Sequence, residues 1–577
     1  MKKRNKKLGR KLKGSKVRKK IIRTKSTQGL AVKTHSSNTG SQSNEEMVKA
    51  SIAIESGQFH EAFRYCMHVL RSNPGNTEAL NLAGVSAFQI GDFDQAISLL
   101  ETAISFRSGF ADAYNNLGNV RKSIGDFTDA EEAYKNAINC GSENTDAEFN
   151  LGILYELQGR FKDAEKYYLR CLELNPGMVP AIFNLGNVFK ALGRLKESEA
   201  GYARVLKLEP THVEALNNLG TIFTELNRKA EAIHVFRKAI SLSPNFAEAH
   251  YNLGIMLQES KDLDGAIVSY KRALDTDPQH VGAEVNIGYC RKELGELNAA
   301  EAAYLRAIKI MPDYDKAFVN LGDLYLHQGK PEKAIEICKE FLDKYPNNIS
   351  VLAFLAIAQE SVGNRDAVQE LIDFNRFLFL KLHSESIEGV DIIELNQEFS
   401  NHVLEHPSLT LQPSSHATKF GRHSGELLID PKGPISELEK MIFEAVSEYC
   451  LAIPIDSSHP WLSDRPKNLG LSVWGVAMED QGFQLSHIHP SAWLSGVYYA
   501  KIPDTIREDD ESHSGWIEFG RAPDNFSADI ESEIKLIKPE NGLMILFPSY
   551  FYHRTIPFVS NEVRISIAFD ILDLETM

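Results

Sequence analysis

Small and apolar residues recur with a period of 34 from about residue 46 to about residue 382. Four columns share that spacing. Glycine stands at Gly57, Gly91, Gly125, Gly159 and Gly193 and again at Gly295, Gly329 and Gly363, with Asn227 and Lys261 in the two skipped places. A second glycine column runs from Gly84 to Gly322, each member behind Leu, Ile or Ala. A third column is alanine, from Ala62 to Ala334 with Ser198 in one place, and a fourth is proline, from Pro74 to Pro346. The columns predict a repeated helix–turn–helix unit. Glycine in the first helix lets a neighbouring helix approach closely, and the glycine at the turn suits a left-handed helix end. Alanine marks the crossing point of the second helix. Proline stops that helix before the next unit begins.

After Leu382 the period is lost. Helical spacing persists to about Leu404 and returns near residues 437–450. From Leu469 aromatic and β-branched residues alternate with polar ones in LGLSVWGVAMED, AWLSGVYYAKIP, GWIEFGRA, GLMILFP and VRISIAFDIL, with turn signals such as Glu540-Asn541-Gly542 between them. Several short strands bounded by turns predict a sandwich or barrel.

Helix pairs at this period are the pattern of tetratricopeptide repeats. About ten are expected over residues 46–382, forming an all-α superhelix whose end copies are atypical because they cap the core. Repeats such as AYNNLGNVRKSIGDFTDAEEAYKNAI from Ala113 resemble those of O-GlcNAc transferase. One polar column accompanies them: Asn116, Asn150, Asn184, Asn218, Asn252, Asn286 and Asn320, each two places before the Leu-Gly or Ile-Gly glycine. At about 100° per residue that offset points away from the packed glycine. A carboxamide offers a donor and an acceptor side by side, which suits an extended peptide backbone. The resemblance implies a concave ladder that holds peptides. The residues alone leave open that these asparagines bond neighbouring repeats or face solvent.

Charge divides the chain further. The net charge is −15, yet the first 44 residues hold 15 Lys/Arg and no Asp/Glu, so a basic arm (residues 1–45) joins an acidic body. The arm has too little apolar surface to fold alone. It could hold nucleic acid or an anionic surface, and it reads equally as a solvated tail. Six scattered cysteines without a CxxC pair fit a reducing, cytoplasmic setting and argue against a disulfide framework. No apolar run approaches the roughly 20 residues of a membrane span, and no secretory signal is visible. Self-association of the repeats is a further expectation.

Candidate chemistry lies in three pieces of residues 383–577. They are Ser486-His487-Ile488-His489-Pro490, Phe547-Pro548-Ser549-Tyr550-Phe551-Tyr552-His553 and Val563-Arg564-Ile565-Ser566. In a strand, residues two apart share a face, so His487 and His489 could enter one cavity. His553 reads as the end of a buried strand, where a loop could turn it toward the same point. Three imidazoles suit Fe, Zn, Cu or Ni. Arg564 could grip a carboxylate bidentately, with Ser566 adding a hydroxyl on the same face; Arg564 could also simply pair with Asp570. Trp474, Trp493, Tyr498 and Tyr499 read as core filling rather than a substrate cage, although a Tyr could reach a bound cosubstrate.

The ordered set HIHP, SGVYY, LFPS, a trailing His and RISIAF resembles a bacterial family among the 2-oxoglutarate and Fe(II)-dependent oxygenases. The resemblance covers roughly the last 110 residues of the chain. It implies a mainly β double-stranded β-helix (jelly-roll or cupin-like) with flanking helices. It implies His487 and His553 as ligands of Fe(II), and Arg564 with Ser566 as the clamp on the far carboxylate of the cosubstrate 2-oxoglutarate. The superfamily's usual triad has a carboxylate in its middle position, where this chain has His489. His489 is then a third ligand and catalytic residue, or its coordination place falls to water. The expected activity is hydroxylation of a protein or peptide held by the repeats. Two alternatives stay open: a binding scaffold with a degenerate barrel, and an oxygenase acting on a small or sugar-like substrate.

Overall fold

The computed structural model describes residues 38–575, apart from 142–143, 385–390, 412–416, 430, 464, 525 and 527–532. Almost all of the basic arm lies outside the described residues. The chain divides into two compact units, residues 1–181 and 182–577.

Between Asn38 and Leu371 the helices follow one another in ten pairs. The columns explain their geometry. Every turn glycine of the 34-residue column has positive φ, from 67° at Gly329 to 94° at Gly91, and Asn227 and Lys261 adopt the same conformation at 58° and 64°. At Gly91 the backbone N–H donates to Ala87 and Phe88, which closes the helix. All nine members of the alanine column, Ser198 included, are fully buried. The second glycine column lies beneath an aromatic ring of the partner helix in most repeats. A Cβ on Gly118 would stand 2.6 Å from Tyr134, one on Gly254 2.5 Å from Tyr270, and one on Gly288 2.4 Å from Tyr304.

That crowding has a measurable consequence. Gly288→Ala gains roughly 1 kcal/mol of helix propensity and loses about 1–3 kcal/mol to overpacking. A net fall in melting temperature is expected, whereas an exposed helical glycine would give a rise. An unchanged or raised melting temperature would show that Tyr304 swings aside freely.

The asparagine column bonds between repeats. Asn116 Nδ2 donates to Asn81, Asn150 to Asn115, Asn252 to Asn217 and Asn286 to Tyr251, in each case reaching back 35 residues. Asn218 donates to Asn187 instead, because Phe183 occupies the equivalent place. Asn320 bonds the Lys316 carbonyl of its own helix. Asn184 is half-buried like the others.

The C-terminal part of the second unit is a curled antiparallel sheet of ten strands. They are β1 (Phe379–Leu382), β2 (Thr410–Leu411), β3 (Thr418–His423), β4 (Leu469–His487), β5 (Leu494–Lys501), β6 (Ile517–Phe519), β7 (Lys535–Ile537), β8 (Leu543–Pro548), β9 (His553–Thr555) and β10 (Arg564–Asp573). The order β1-β8-β5-β10-β4-β9-β6-β7, with β3 beside β4, is that of a double-stranded β-helix. Helices Ile392–Glu405 and Ile435–Ala452 flank it. All five alternating stretches of the sequence are strands. β1, β2, β3, β7 and β9 are additions the pattern did not announce.

The last helix pair merges with the sheet. Helix Ile349–Ser361 is apolar all round and mostly buried. Phe374 packs edge-on against Phe551, and Phe377 against Trp461. Tyr550 donates its hydroxyl hydrogen to the Leu371 carbonyl at 2.6 Å. Directly after these residues the chain becomes β1, which pairs with β8 over four residues. No described helix is long and apolar enough to cross a membrane.

Candidate active site

The sheet brings the three histidines together. His487 ends β4 and is the cross-strand partner of His553, the first residue of β9. Their ring centroids are 4.3 Å apart. His553 therefore opens a new strand rather than closing β8; residues 549–552 form a turn between the two. His489 also differs from expectation. It lies beyond the end of β4, so strand alternation does not place it beside His487. A turn does so, held by the His489 N–H donating to the Ser549 carbonyl at 3.0 Å. One ring nitrogen from each of the three lies within 4.8 Å of the others, a cluster that could hold a metal ion.

The hydrogen bonds fix which nitrogen each ring offers. Nδ1 of His487 donates to the Leu485 carbonyl at 2.8 Å, and Nδ1 of His553 to the Phe551 carbonyl at 3.0 Å. Nδ1 of His489 donates to Asp570 at 2.8 Å. Each Nε2 keeps its lone pair, the form a metal requires. Nε2 of His489 is buried with no protein partner. Burial, with the neighbouring imidazoles, pushes the His487 ring down to about 4 and holds His553 well below its ordinary value.

These shifts set a pH dependence. A histidine whose folded value is depressed binds its proton more readily in the unfolded chain. Its contribution is whole above the unfolded value near 6.5 and is lost as pH falls toward 4. His459, buried between the last helix pair and the barrel, is lowered in the same direction by burial. Melts of metal-free protein should therefore decline steadily from pH 7 to pH 4.5. A flat profile over that range contradicts the neutral, buried rings.

β10 forms the opposite wall. Arg564, Ser566, Ala568 and Asp570 alternate onto the cavity, while Ile565, Ile567, Phe569 and Ile571 turn to the core with no exposure. The cavity measures about 440 Å³ and is lined by all three histidines together with Arg564, Ser566, Tyr499 and Trp474. Arg564 is 1% exposed. Its guanidinium lies 5.1 Å from the Tyr499 ring centroid and reaches Met478 Sδ at 3.5 Å, and its Nε has no partner. The pairing of Arg564 with Asp570 considered from sequence is not present: Asp570 is engaged by His489 and Ser495. A buried guanidinium with no carboxylate on it is poised for an anion that enters the cavity.

Sequence reasoning missed part of this wall. Trp474 is half-buried and lines the cavity, stacked between His489 at 5.6 Å and His423 at 6.1 Å. Tyr499 lines it as well. Trp493 and Tyr498 do fill the core. Ser495 and Ser549 stand in the quoted motifs, but only the fold shows that they meet. Gly496 of SGVYY has a steric reason: a Cβ there would lie 2.3 Å from Phe569 and 2.9 Å from the Ile545 carbonyl.

Comparison with known proteins agrees with this architecture. Residues 472–570 match the family described as "Putative 2OG-Fe(II) oxygenase". Tetratricopeptide-repeat families match segments between residues 53 and 358, among them 53–122 and 293–358, 145–178 and 247–280, and 179–212. No curated protein matches the chain. Among solved structures, YrrB, titled a TPR protein with an unusual peptide-binding site, is 24% identical over 32% of this chain and 95% of its own, with a TM-score of 0.29. A tetratricopeptide repeat protein from Parabacteroides merdae ATCC 43184 is 18% identical over 44% of this chain and 99% of its own, with a TM-score of 0.35. The chain thus carries tetratricopeptide repeats over residues 53–358 and, over residues 472–570, a C-terminal domain of the family described as "Putative 2OG-Fe(II) oxygenase".

Proposed function

We propose that this protein hydroxylates a protein or peptide segment that its repeats hold. His487, His489 and His553 would bind Fe(II) through Nε2, and Arg564 and Ser566 would bind the far carboxylate of 2-oxoglutarate. The observation that carries the reading is the pairing of two unfinished groups in one cavity. Three imidazoles have Nδ1 committed and Nε2 open, and a buried guanidinium whose Nε has no protein partner faces the same space. Bound iron supplies oxidation of the substrate by O2, coupled to conversion of 2-oxoglutarate into succinate and CO2. The chain does the rest. Arg564 and Ser566 orient the cosubstrate, the core face of β10 excludes water behind it, and Trp474 bounds the remaining space beside His489.

The repeats supply binding energy away from the reacting atoms and position the target. Each Nδ2 of the asparagine column that bonds a neighbouring repeat keeps a second N–H, so the column still offers a peptide backbone a donor beside its carbonyl oxygen.

Anaerobic addition of Fe(II) and 2-oxoglutarate to the full-length protein tests the reading. A visible metal-to-ligand charge-transfer band and, on admitting air, succinate release are expected. Protein that holds zinc and gives neither band nor succinate would instead be a binding scaffold.

A further inference from the structure

The histidine cluster has a charge problem. A His-carboxylate-His set gives a dication one negative ligand; three neutral imidazoles give none. One carboxylate stands directly behind them. Asp570 Oδ1 accepts from His489 Nδ1 at 2.8 Å and from Ser495 Oγ at 2.7 Å. Ser495 Oγ is 2.8 Å from Ser549 Oγ, and the Ser549 carbonyl holds the His489 backbone N–H at 3.0 Å. Ser495 and Ser549 have no exposure. The network therefore joins the four sequence motifs: His489 of HIHP, Ser495 of SGVYY, Ser549 of LFPS and Asp570 after RISIAF. Among the described residues, the ion-pair partner of Asp570 is His489. Among the described residues no Lys or Arg pairs with it.

We infer that Asp570 is a positioning residue that restores to this site, through His489, the negative charge its ligands lack. The inference rests on the reading of His489 as a ligand. The carboxylate fixes the His489 tautomer and ring plane. It also strengthens Nε2 as a donor, as carboxylates behind metal-bound histidines do. Ser495 and Ser549 hold the carboxylate in line. A plainer reading is that Asp570 only ties the turn carrying His489 to β10. The two differ in whether the charge or merely the hydrogen bond matters.

Asp570→Asn separates them, since the amide oxygen still accepts from Nδ1–H and from Ser495 while the charge is gone. Full-length protein stripped of metal is titrated with Co(II) against a competing chelator. Asp570→Asn should weaken Co(II) binding roughly 10–100-fold, with little change in the metal-free melt. His489→Asp removes the imidazole through which Asp570 acts and places a carboxylate at that position instead. In that background Asp570→Asn should change Co(II) binding far less than it does beside His489. This loss of coupling decides the matter even if the single variant melts lower. Asp570→Asn within about twofold of wild type, or an effect of the same size in both backgrounds, overturns the inference. Wild-type protein that takes up no Co(II) overturns the metal reading itself, which is a distinct result.

Discussion

Replacing Arg564 with methionine should abolish 2-oxoglutarate binding and at the same time raise the melting temperature of the ligand-free protein. Both halves follow from one observation: the guanidinium is 1% exposed, its Nε has no hydrogen-bond partner, and no carboxylate among the described residues pairs with it. An unpaired buried charge costs several kcal/mol. Methionine fills similar length beside Met478 and Tyr499 without that cost. Losing a fully desolvated charge partner costs the cosubstrate about 2–5 kcal/mol, or roughly 30- to 5,000-fold in affinity. Arg564→Lys keeps the charge but not the planar fork and should recover little of it. Calorimetric titration of 2-oxoglutarate into metal-loaded protein, beside thermal melts of the metal-free form, measures the two halves. Unchanged affinity in Arg564→Met would place the cosubstrate elsewhere.

The second large effect is expected at the metal. His553→Ala and His487→Ala should each eliminate Co(II) or Fe(II) uptake, and succinate formation with it. Each loss should exceed the roughly 10–100-fold that a supporting group is worth. The two residues are cross-strand partners with Nδ1 bonded to a backbone carbonyl, so the sheet itself aims them. His489 arrives on a turn and depends on Asp570, and His489→Ala should cost less. Equal losses at all three positions would show that the turn is as rigid as the strands. Retained metal in His553→Ala would remove the cluster from the chemistry.

The repeats were legible because their signal is local and multiplied. Each turn glycine takes the same backbone conformation and each column alanine is buried in copy after copy, and even Asn227 and Lys261, which break the glycine column, take up its conformation. Strands β4, β5, β6, β8 and β10 were legible for the same reason, since alternation is written into neighbouring residues. The site was legible as residue types and order, and less so as geometry. Nothing adjacent to His489 shows that it leaves the strand, because the bond that turns it comes from Ser549. Nothing near Asp570 says whether its partner is Arg564 or His489; on one strand face six residues apart from Arg564, it reaches the histidine instead. β1 was hidden because FLKL follows a helical stretch without a break, and only β8 makes it a strand. The asparagine column showed its spacing but not its bonding partners, which lie 35 residues back in most copies.

The turn of residues 549–552 serves two masters. At its far end it delivers His553, and along its length Tyr550 and Phe551 are gripped by Leu371, Phe374 and Phe377 at the foot of the last helix pair. A minimal barrel cut free at residue 383 would lose that grip along with strand β1. The catalytic half of this protein is thus no cassette to be moved onto another scaffold. Its histidine cluster is finished only with the foot of the last helix pair in place.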